Sequence, residues 1–293
     1  MSVPVVGVHG IRCYRYYAET GTAQGAAALL AVTWATALAE GAGLAPEATA
    51  GRLAVAYYGH LLQKGTAQGP ETDLKWLTEG ERAILLDLVR DLGASPQVAQ
   101  GPGTLPVRQA AQWLATRFGD VAVGSVAAFC REVQAYLGTP DSARRKAVRD
   151  AVADTIAEHR PCVVVAHSLG SVVAYETLWH RPDLEIELLL TIGSPLGMPR
   201  VVQDRLDPPL IQATGRGARP PGVAAWLNIA DVGDLVAATG SLATSFDGVT
   251  QLPDISIGPM AFHAATAYLK HSSVATHLAS YLEVPSRSDP PRP

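Results

Sequence analysis

A strand, a helix and a second strand follow one another closely in the middle of the chain. Residues 162–166 are uniformly apolar, residues 169–180 have the composition of a helix, and residues 186–192 form a second apolar run. Strands that are joined by a helix in this way lie parallel in one sheet. Parallel sheets are covered by helices on both faces, so their strands are apolar throughout. This segment therefore predicts an α/β fold with a mostly parallel sheet.

The remaining segments fit a single domain that is built on this sheet. Further strands are predicted over residues 3–8, 53–58, 226–230 and 251–257. Further helices are predicted over residues 20–40, 76–92, 107–137, 142–159, 264–269 and 272–283. We expect one domain over residues 1–284, with residues from about 60 to 140 forming a helical insertion and residues 285–293 a disordered proline-rich tail.

Composition and charge exclude several classes of partner. The chain has 293 residues, of which 48% are hydrophobic and 17% are charged, and its net charge is -4. A nucleic-acid partner is not expected, because the sequence lacks the basic face that such a partner requires. The longest uncharged apolar stretch, residues 26–39, is shorter than the roughly 20 residues that a membrane span needs. We expect no transmembrane segment and a cytoplasmic location, while the sequence does not indicate the oligomeric state.

Ser168 lies between the predicted strand at residues 162–166 and the predicted helix at residues 169–180. Ala166 and Gly170 stand two residues before and after it, and so tight a turn requires small residues at both positions. This segment resembles the nucleophile elbow of the α/β-hydrolases, with alanine where that family usually has glycine. The resemblance implies an α/β-hydrolase fold in which Ser168 is the nucleophile, strained and with its hydroxyl exposed.

A serine nucleophile needs a general base that is oriented by a carboxylate, and in this family the chain order is serine, acid, histidine. Asp231 and Asp234 both follow the predicted strand at residues 226–230, at the edge of the sheet where Ser168 is expected. Asp234 is preferred, because the Leu-Val pair that follows it resembles the sequence after the family's acid. Asp231 is retained as the alternative acid.

Two histidines that follow these carboxylates are candidates for the base. His263 lies between the last predicted strand and the last predicted helix, with Tyr268 and Leu269 close behind it. In this position it resembles the catalytic base of the family. His271, immediately before the pair of serines that starts the last helix, is the alternative base.

The N-terminal segment supplies a candidate oxyanion-binding loop. His9-Gly10 follows the first predicted strand, as in many lipases and esterases of the superfamily, and the resemblance implies that the backbone N–H of Ile11 binds an oxyanion. The N–H of Leu169 is the other expected donor, because it starts the helix after the nucleophile. Residues 191–195 (Thr-Ile-Gly-Ser-Pro) also resemble the lipase and serine-esterase branch.

These residues predict a serine hydrolase of the lipase-like branch, a serine esterase that cleaves a carboxylic ester through an acyl-enzyme on Ser168. The reaction needs no metal or cofactor, and the three cysteines lack metal-ligand spacing. The expected substrate is a small-molecule or lipid-like acyl compound. An acyltransferase, a thioesterase or a cyclising enzyme with the same three residues is the alternative. A further alternative is a catalytically inactive hydrolase fold that is used for binding.

The expected insertion contains three large aromatic side chains, Trp76, Trp113 and Phe129. Apolar side chains of this kind could line a lid or an acyl pocket. The simpler interpretation, which we prefer, places them in ordinary helix core.

Overall fold

The computed structural model describes residues 3–63, 73–95, 105–237, 240–258 and 263–283. Its strands are β1 (Val5–Val8), β2 (Leu53–Ala56), β3 (Val163–His167), β4 (Ile186–Ile192), β5 (Gly217–Ala218), β6 (Val223–Ile229), β7 (Phe246–Asp247) and β8 (Val249–Gln251). Its helices are α1 (Tyr14–Thr20), α2 (Ala23–Ala42), α3 (Pro46–Thr49), α4 (Gly59–Leu62), α5 (Glu79–Asp91), α6 (Leu105–Phe118), α7 (Asp120–Leu137), α8 (Ala143–His159), α9 (Leu169–His180), α10 (Ala265–Lys270) and α11 (Ser272–Glu283).

Six of the strands form one sheet, in the order β2-β1-β3-β4-β6-β8, and every neighbouring pair is parallel. Helices cover both faces of this sheet. Val6 and Val8 of β1 belong to the core that contains α5, α7, α8 and α9, whereas Val5 belongs to the core that contains α2, α10 and α11. Successive residues of a strand point to opposite faces, and all three valines are fully buried. The predicted α/β class with a mostly parallel sheet is therefore confirmed.

The order of the strands reverses between β1 and β3. From β1 the chain first continues to β2 on one side, and it then returns to β3 on the other side. At such a reversal the loops that leave the carboxyl ends of the two strands diverge, and ligands bind in the crevice between them. His9-Gly10 follows β1, and Ser168 follows β3. The expected oxyanion loop and the expected nucleophile thus lie at this crevice.

The helix α2 is long and apolar enough to cross a membrane by length and composition. Leu30, Trp34 and Leu38, which are spaced by four residues, are nevertheless at most 2% exposed and belong to the core on one face of the sheet. One face of α2 therefore packs in the core. The described residues contain no clear transmembrane segment.

One predicted helix is divided in the structure, and another is preceded by a helix that was not predicted. Residues 107–137 belong to α6 and α7, because Gly119 between them has a φ of 85°, which a helix does not allow. The helix predicted over residues 20–40 corresponds to α2, and α1 precedes it as a separate helix that the sequence did not predict. Gly21, with a φ of 73°, ends α1, and the Thr22 side chain caps the start of α2. The bounds of α9 and β4 are those that the sequence predicts.

One apolar core joins the sheet to α5, α6 and α7 among the described residues. Phe129 is buried in it, and Trp113 packs against it while half-buried. Trp76 is 52% exposed, so its interpretation as helix core is wrong. It ends a short 3-10 helix, Leu74–Trp76, in which only the leucine is buried. The single-domain organisation stays a prediction, and the proline-rich tail at residues 285–293 lies outside the described residues.

Candidate active site

Ser168 has a backbone conformation that few residues other than glycine adopt. Its φ is 55° and its ψ is -131°, because the chain passes from β3 to α9 with this single residue between them. Such conformations cost about 1–3 kcal/mol and persist only where the surrounding structure imposes them. Five described non-glycine residues have a positive φ, and three of them, Arg12, Ser168 and His263, belong to the candidate site or adjoin it. Backbone strain is therefore concentrated where the sequence predicts chemistry.

Two glycines allow the chain to close around Ser168. A methyl group on Gly170 would lie 2.4 Å from the carbonyl oxygens of both Val8 and His9. A methyl group on Gly10 would lie 2.6 Å from the Ser168 Cβ atom. The end of β1 is thus in direct contact with the turn. This packing buries Ser168 completely, so the expectation of an exposed hydroxyl is wrong.

Asp234 and His263 form a hydrogen-bonded pair. His263 Nδ1 lies 2.5 Å from Asp234 Oδ2, and Asp234 Oδ1 accepts the N–H of Val236 at 2.9 Å. Burial by itself would raise the pKa of the Asp234 carboxyl, but the interaction with His263 and the hydrogen bonds that the carboxyl accepts outweigh it and lower the pKa to about 2. Asp234 is therefore a carboxylate at neutral pH. As an acceptor it requires the proton of a neutral His263 to be on Nδ1.

The structure gives the alternative acid and the alternative base other roles. Asp231 accepts the N–H groups of Gly233 at 3.1 Å and Ile257 at 2.9 Å, which ties the loop after β6 to the segment after β8. His271 Nδ1 accepts the N–H of Ser273 at 3.2 Å, at the start of α11. Of these four described candidates, only the preferred acid and the preferred base are hydrogen-bonded to each other.

Two buried polar atoms of the site, Ser168 Oγ and His263 Nε2, have no hydrogen-bond partner among the described residues. Buried polar atoms are rarely left unpaired, so each of these requires an explanation. Both residues pack against the same two-residue segment. The Ser168 N–H donates to the Ile192 carbonyl oxygen at 3.1 Å, and a methyl group on the next residue, Gly193, would lie 3.0 Å from His263 Cε1. Both residues therefore flank the segment of Ile192 and Gly193.

Gly193 gives a physical reason for the pattern at residues 191–195. Its φ is 57°, and a methyl group there would lie 3.0 Å from Asp234 Oδ2 and 3.1 Å from Tyr268 Cε2. The residue after β4 thus has to be glycine, because a side chain at this position would contact the paired acid and base. The sequence indicated this segment only through its family resemblance, and it did not predict these contacts.

Two backbone N–H groups are candidate donors to a bound anion. Among the described residues, neither the Ile11 N–H nor the Leu169 N–H donates to a backbone carbonyl outside the regular helices and strands. Leu169 is the first residue of α9, and the first N–H groups of a helix have no partner within it. The positive end of the helix dipole lies at the same place. The two donors that the sequence predicts are therefore both available.

The His9 side chain fixes the peptide that carries the Ile11 N–H. His9 Nε2 accepts the N–H of Tyr58 at 3.1 Å, so Nδ1 carries the proton and donates to the Gly10 carbonyl oxygen at 2.7 Å. The carbonyl and the N–H of a trans peptide point in opposite directions, so the Ile11 N–H faces away from the His9 ring. Burial, the largest effect, lowers the pKa of His9 to about 4 and keeps the ring neutral.

His167, which no sequence pattern marks as a site residue, lies beside the predicted base. Its ring centroid is 4.7 Å from that of His263, and its Nε2 atom is also without a partner among the described residues. Burial, followed by the neighbouring imidazole, holds the pKa of His167 well below its usual value. His167 is therefore a neutral neighbour of the Asp234–His263 pair.

A cleft of about 690 Å³ opens beside His263, within the range of about 300–1,000 Å³ that is typical of small-molecule sites. The oxyanion donor Ile11 and the base His263 both line it. Polar side chains at its wall include Arg117 and Ser125. Its apolar wall comes from α6, α7 and the loop after β6, through Phe118, Val126, Phe129, Val232, Leu235 and Val236. Helices of the expected insertion therefore form part of the site.

No family model matches the chain, and comparisons with curated proteins and with solved structures find no match. The chemistry of the site is therefore inferred from the geometry of the chain itself. Within the described ranges, no three histidine, cysteine, aspartate or glutamate side chains are grouped as a metal ion would require.

Proposed function

We propose that this chain is a serine hydrolase of the lipase-like branch of the α/β-hydrolases, and that it cleaves carboxylic esters through an acyl-enzyme on Ser168. The proposal rests on one arrangement: a strained, buried serine beside a histidine that Asp234 holds by Nδ1, with both Ser168 Oγ and His263 Nε2 unpaired among the described residues. A serine hydroxyl is a weak nucleophile until a neighbouring base accepts its proton, and this arrangement supplies that base.

His263 acts as the general base in the first half of the reaction. Its Nε2 atom takes the hydroxyl proton as Ser168 Oγ forms a bond to the acyl carbon of the ester. The proton then passes to the leaving oxygen, which departs as an alcohol. Asp234 holds Nδ1–H and stabilises the imidazolium that forms. A hydrogen bond between Oγ and Nε2 forms when substrate binds, because catalytic hydrogen bonds that are absent or long in the free enzyme tighten in the complex.

The N–H groups of Ile11 and Leu169 bind the oxyanion of the tetrahedral intermediate. Each such donor contributes about 3 kcal/mol to transition-state stabilisation. A water molecule then attacks the acyl-enzyme, with His263 again accepting a proton. This step releases the carboxylic acid and returns Ser168 to its hydroxyl form.

The cleft beside His263 receives the apolar part of the substrate. Its wall combines Phe118 and Phe129 from the helical segment with Val232 and Leu235 from the loop that carries the acid. Apolar surface of this kind favours an acyl chain or an aromatic acid over a sugar or a free amino acid. A small-molecule or lipid-like ester is therefore the substrate class that the cleft fits.

Labelling with a fluorophosphonate probe tests the proposed function, because the probe phosphonylates only activated serines. We expect the wild-type protein to be labelled on the peptide that contains Ser168, and Ser168→Ala and His263→Gln to remain unlabelled. Turnover of p-nitrophenyl butyrate is expected to fall at least about 10³-fold in both variants. Ser273→Ala, which changes an exposed serine on α11, is the matched control and stays labelled. Full turnover by a folded Ser168→Ala variant would overturn the proposal.

A further inference from the structure

Tyr268 makes two hydrogen bonds on the acid side of the site. Its hydroxyl lies 2.6 Å from Asp234 Oδ2, and it accepts the backbone N–H of Asp231 at 3.0 Å. The side chain is fully buried on α10, the helix that begins just after His263. A phenol has one proton. Because the Asp231 N–H already donates to this hydroxyl, the phenol proton points to the Asp234 carboxylate.

Asp234 Oδ2 is therefore shared between two donors, His263 Nδ1 at 2.5 Å and the Tyr268 hydroxyl at 2.6 Å. Burial, followed by the charge of Asp234, raises the pKa of the Tyr268 hydroxyl, so it remains a donor. Hydrogen bonds to an ionised acceptor are among the stronger ones in proteins. An oxygen that accepts one such bond attracts the second donor less strongly.

We propose that Tyr268 is a positioning residue of the site: its hydroxyl holds the loop of Asp231 and Asp234 against α10, and it limits how strongly Asp234 attracts the protonated form of His263. This inference rests on the proposed function, in which His263 must lose its proton to act as a base. Without the Tyr268 hydroxyl, the Asp234 carboxylate would interact more strongly with the imidazolium of His263. His263 would then stay protonated, and inactive as a base, to a higher pH.

Other titratable and charged groups surround the pair. His167 at the end of β3 contacts the imidazole of His263, and His9 at the end of β1 is near enough to His167 to contribute to the lowering of its pKa. Asp231 faces the Tyr268 hydroxyl from the loop after β6, and Arg117 lines the cleft from α6. All of these groups are retained when Tyr268 alone is changed. A difference between the wild type and Tyr268→Phe therefore reports on the hydroxyl.

The test follows the titration of the His263 imidazole by NMR in protein labelled with ¹⁵N-histidine, with His263→Gln used for assignment. In Tyr268→Phe, which keeps the ring, the midpoint is expected to rise by about half to one pH unit. Below the midpoint, the rate of fluorophosphonate labelling of Ser168 is expected to fall about three- to tenfold. Tyr281→Phe, a half-buried tyrosine of α11, is the matched control and leaves both unchanged.

A second variant keeps both the ring and the hydroxyl, in case the phenylalanine variant does not fold. Fluorination of Tyr268 beside its hydroxyl, by incorporation of 3-fluorotyrosine, makes the phenol a stronger donor, so the midpoint is expected to move to lower pH. An unchanged midpoint in folded Tyr268→Phe, or in the fluorinated protein, would overturn the inference. A different outcome is that the midpoint shifts in Tyr268→Phe while Ser168 of the wild-type protein is never labelled. This outcome would overturn the proposed function and leave the influence of Tyr268 on His263 standing.

Discussion

The Nδ1 atom of His263 lies 2.5 Å from the Oδ2 atom of Asp234, although the two residues are 29 positions apart in the chain. They belong to the segments that follow β6 and β8, which are neighbours in the sheet. Parallel strands end at the same edge, so the sheet brings these segments together. Asp231 lies in the same loop but binds backbone N–H groups instead. The two aspartates therefore offer a matched pair of variants.

Asp234→Asn is expected to lower kcat for ester hydrolysis by about 10⁴-fold, because an amide no longer holds the productive tautomer of His263. Asp231→Asn is expected to change kcat by less than about tenfold and to lower the free energy of unfolding by about 1 kcal/mol, since it weakens the backbone hydrogen bonds of the loop. Steady-state kinetics and urea unfolding measure the two quantities. Equal losses of kcat in both variants would contradict the assignment of Asp234 as the acid.

The sequence offered candidates for each site role because each role requires a particular residue type at the end of a strand, and the structure hydrogen-bonds the preferred acid to the preferred base. It placed Ser168 between a strand and a helix, and it ranked Asp234 above Asp231 through a family resemblance. It could not predict the bond from Tyr268 to Asp234. That bond depends on how closely α10 approaches the loop after β6, which no local pattern records.

The cleft beside His263 predicts a dependence on acyl-chain length. Ser125 lines the cleft from α7, and its hydroxyl accepts a long hydrogen bond of 3.5 Å from Arg12. A phenyl ring at this position would fill part of the cleft. Ser125→Phe is therefore expected to lower kcat/KM for p-nitrophenyl octanoate at least about tenfold, and to change that for p-nitrophenyl acetate less than about threefold.

Gln112→Phe is the control for this prediction, because it adds the same ring to an exposed position of α6 that does not line the cleft. Its kinetics with both esters are expected to match those of the wild type. If Ser125→Phe lost activity equally toward the short and the long ester, the cleft would not be the acyl site.

The fold follows from the sequence wherever the pattern is local. The bounds of α9 and β4 were predicted in full, because turns and charged residues delimit them. β8 covers Val249–Gln251 and shares only Gln251 with the strand predicted over residues 251–257, so that prediction was displaced along the chain. The pairing of β8 with β6 ends at Gln251, and beyond it Ile255 forms only a single bridge with Asp231. Pro253 explains the break, because proline has no N–H to donate to a neighbouring strand.

Gly170 predicts a loss of stability at the turn after Ser168. In Gly170→Ala the new methyl group would lie 2.4 Å from the carbonyl oxygens of Val8 and His9, and backbone atoms cannot rotate away as a flexible side chain can. We expect the free energy of unfolding to fall by about 3 kcal/mol, measured by urea unfolding followed by circular dichroism.

Gly233→Ala is the matched control for this change. The nearest atom to its new methyl group, Asp231 Oδ2, would be 3.3 Å away, and its φ is not in the left-handed region. Its unfolding free energy is expected to change by less than about 1 kcal/mol. A similar loss in both variants would show that contact with the end of β1 is not what requires glycine after Ser168.

His9 predicts how stability depends on pH. It is fully buried, and burial is the main cause that lowers its pKa from 6.5 to about 4. Between these two pH values the unfolded chain binds a proton that the folded chain does not. The stabilisation is therefore complete above about pH 6.5, and it is lost as the pH falls toward 4. His167 acts in the same direction, because its pKa is also lowered.

His9→Asn removes one of these titrating groups and is expected to flatten the curve of unfolding free energy against pH. The wild-type protein is expected to lose about 3 kcal/mol through His9 alone between pH 6.5 and pH 4, and the variant is expected to lack this part of the loss. At pH 7 the variant is itself less stable, because asparagine is too short to accept the N–H of Tyr58 and still bond to the Gly10 carbonyl. Urea unfolding at intervals from pH 4 to pH 7 separates the two effects. If the unfolding free energy of both proteins changed equally with pH, His9 would have to bind its proton in the folded state as it does in the unfolded chain. That result would contradict the hydrogen bond in which His9 Nε2 accepts the Tyr58 N–H.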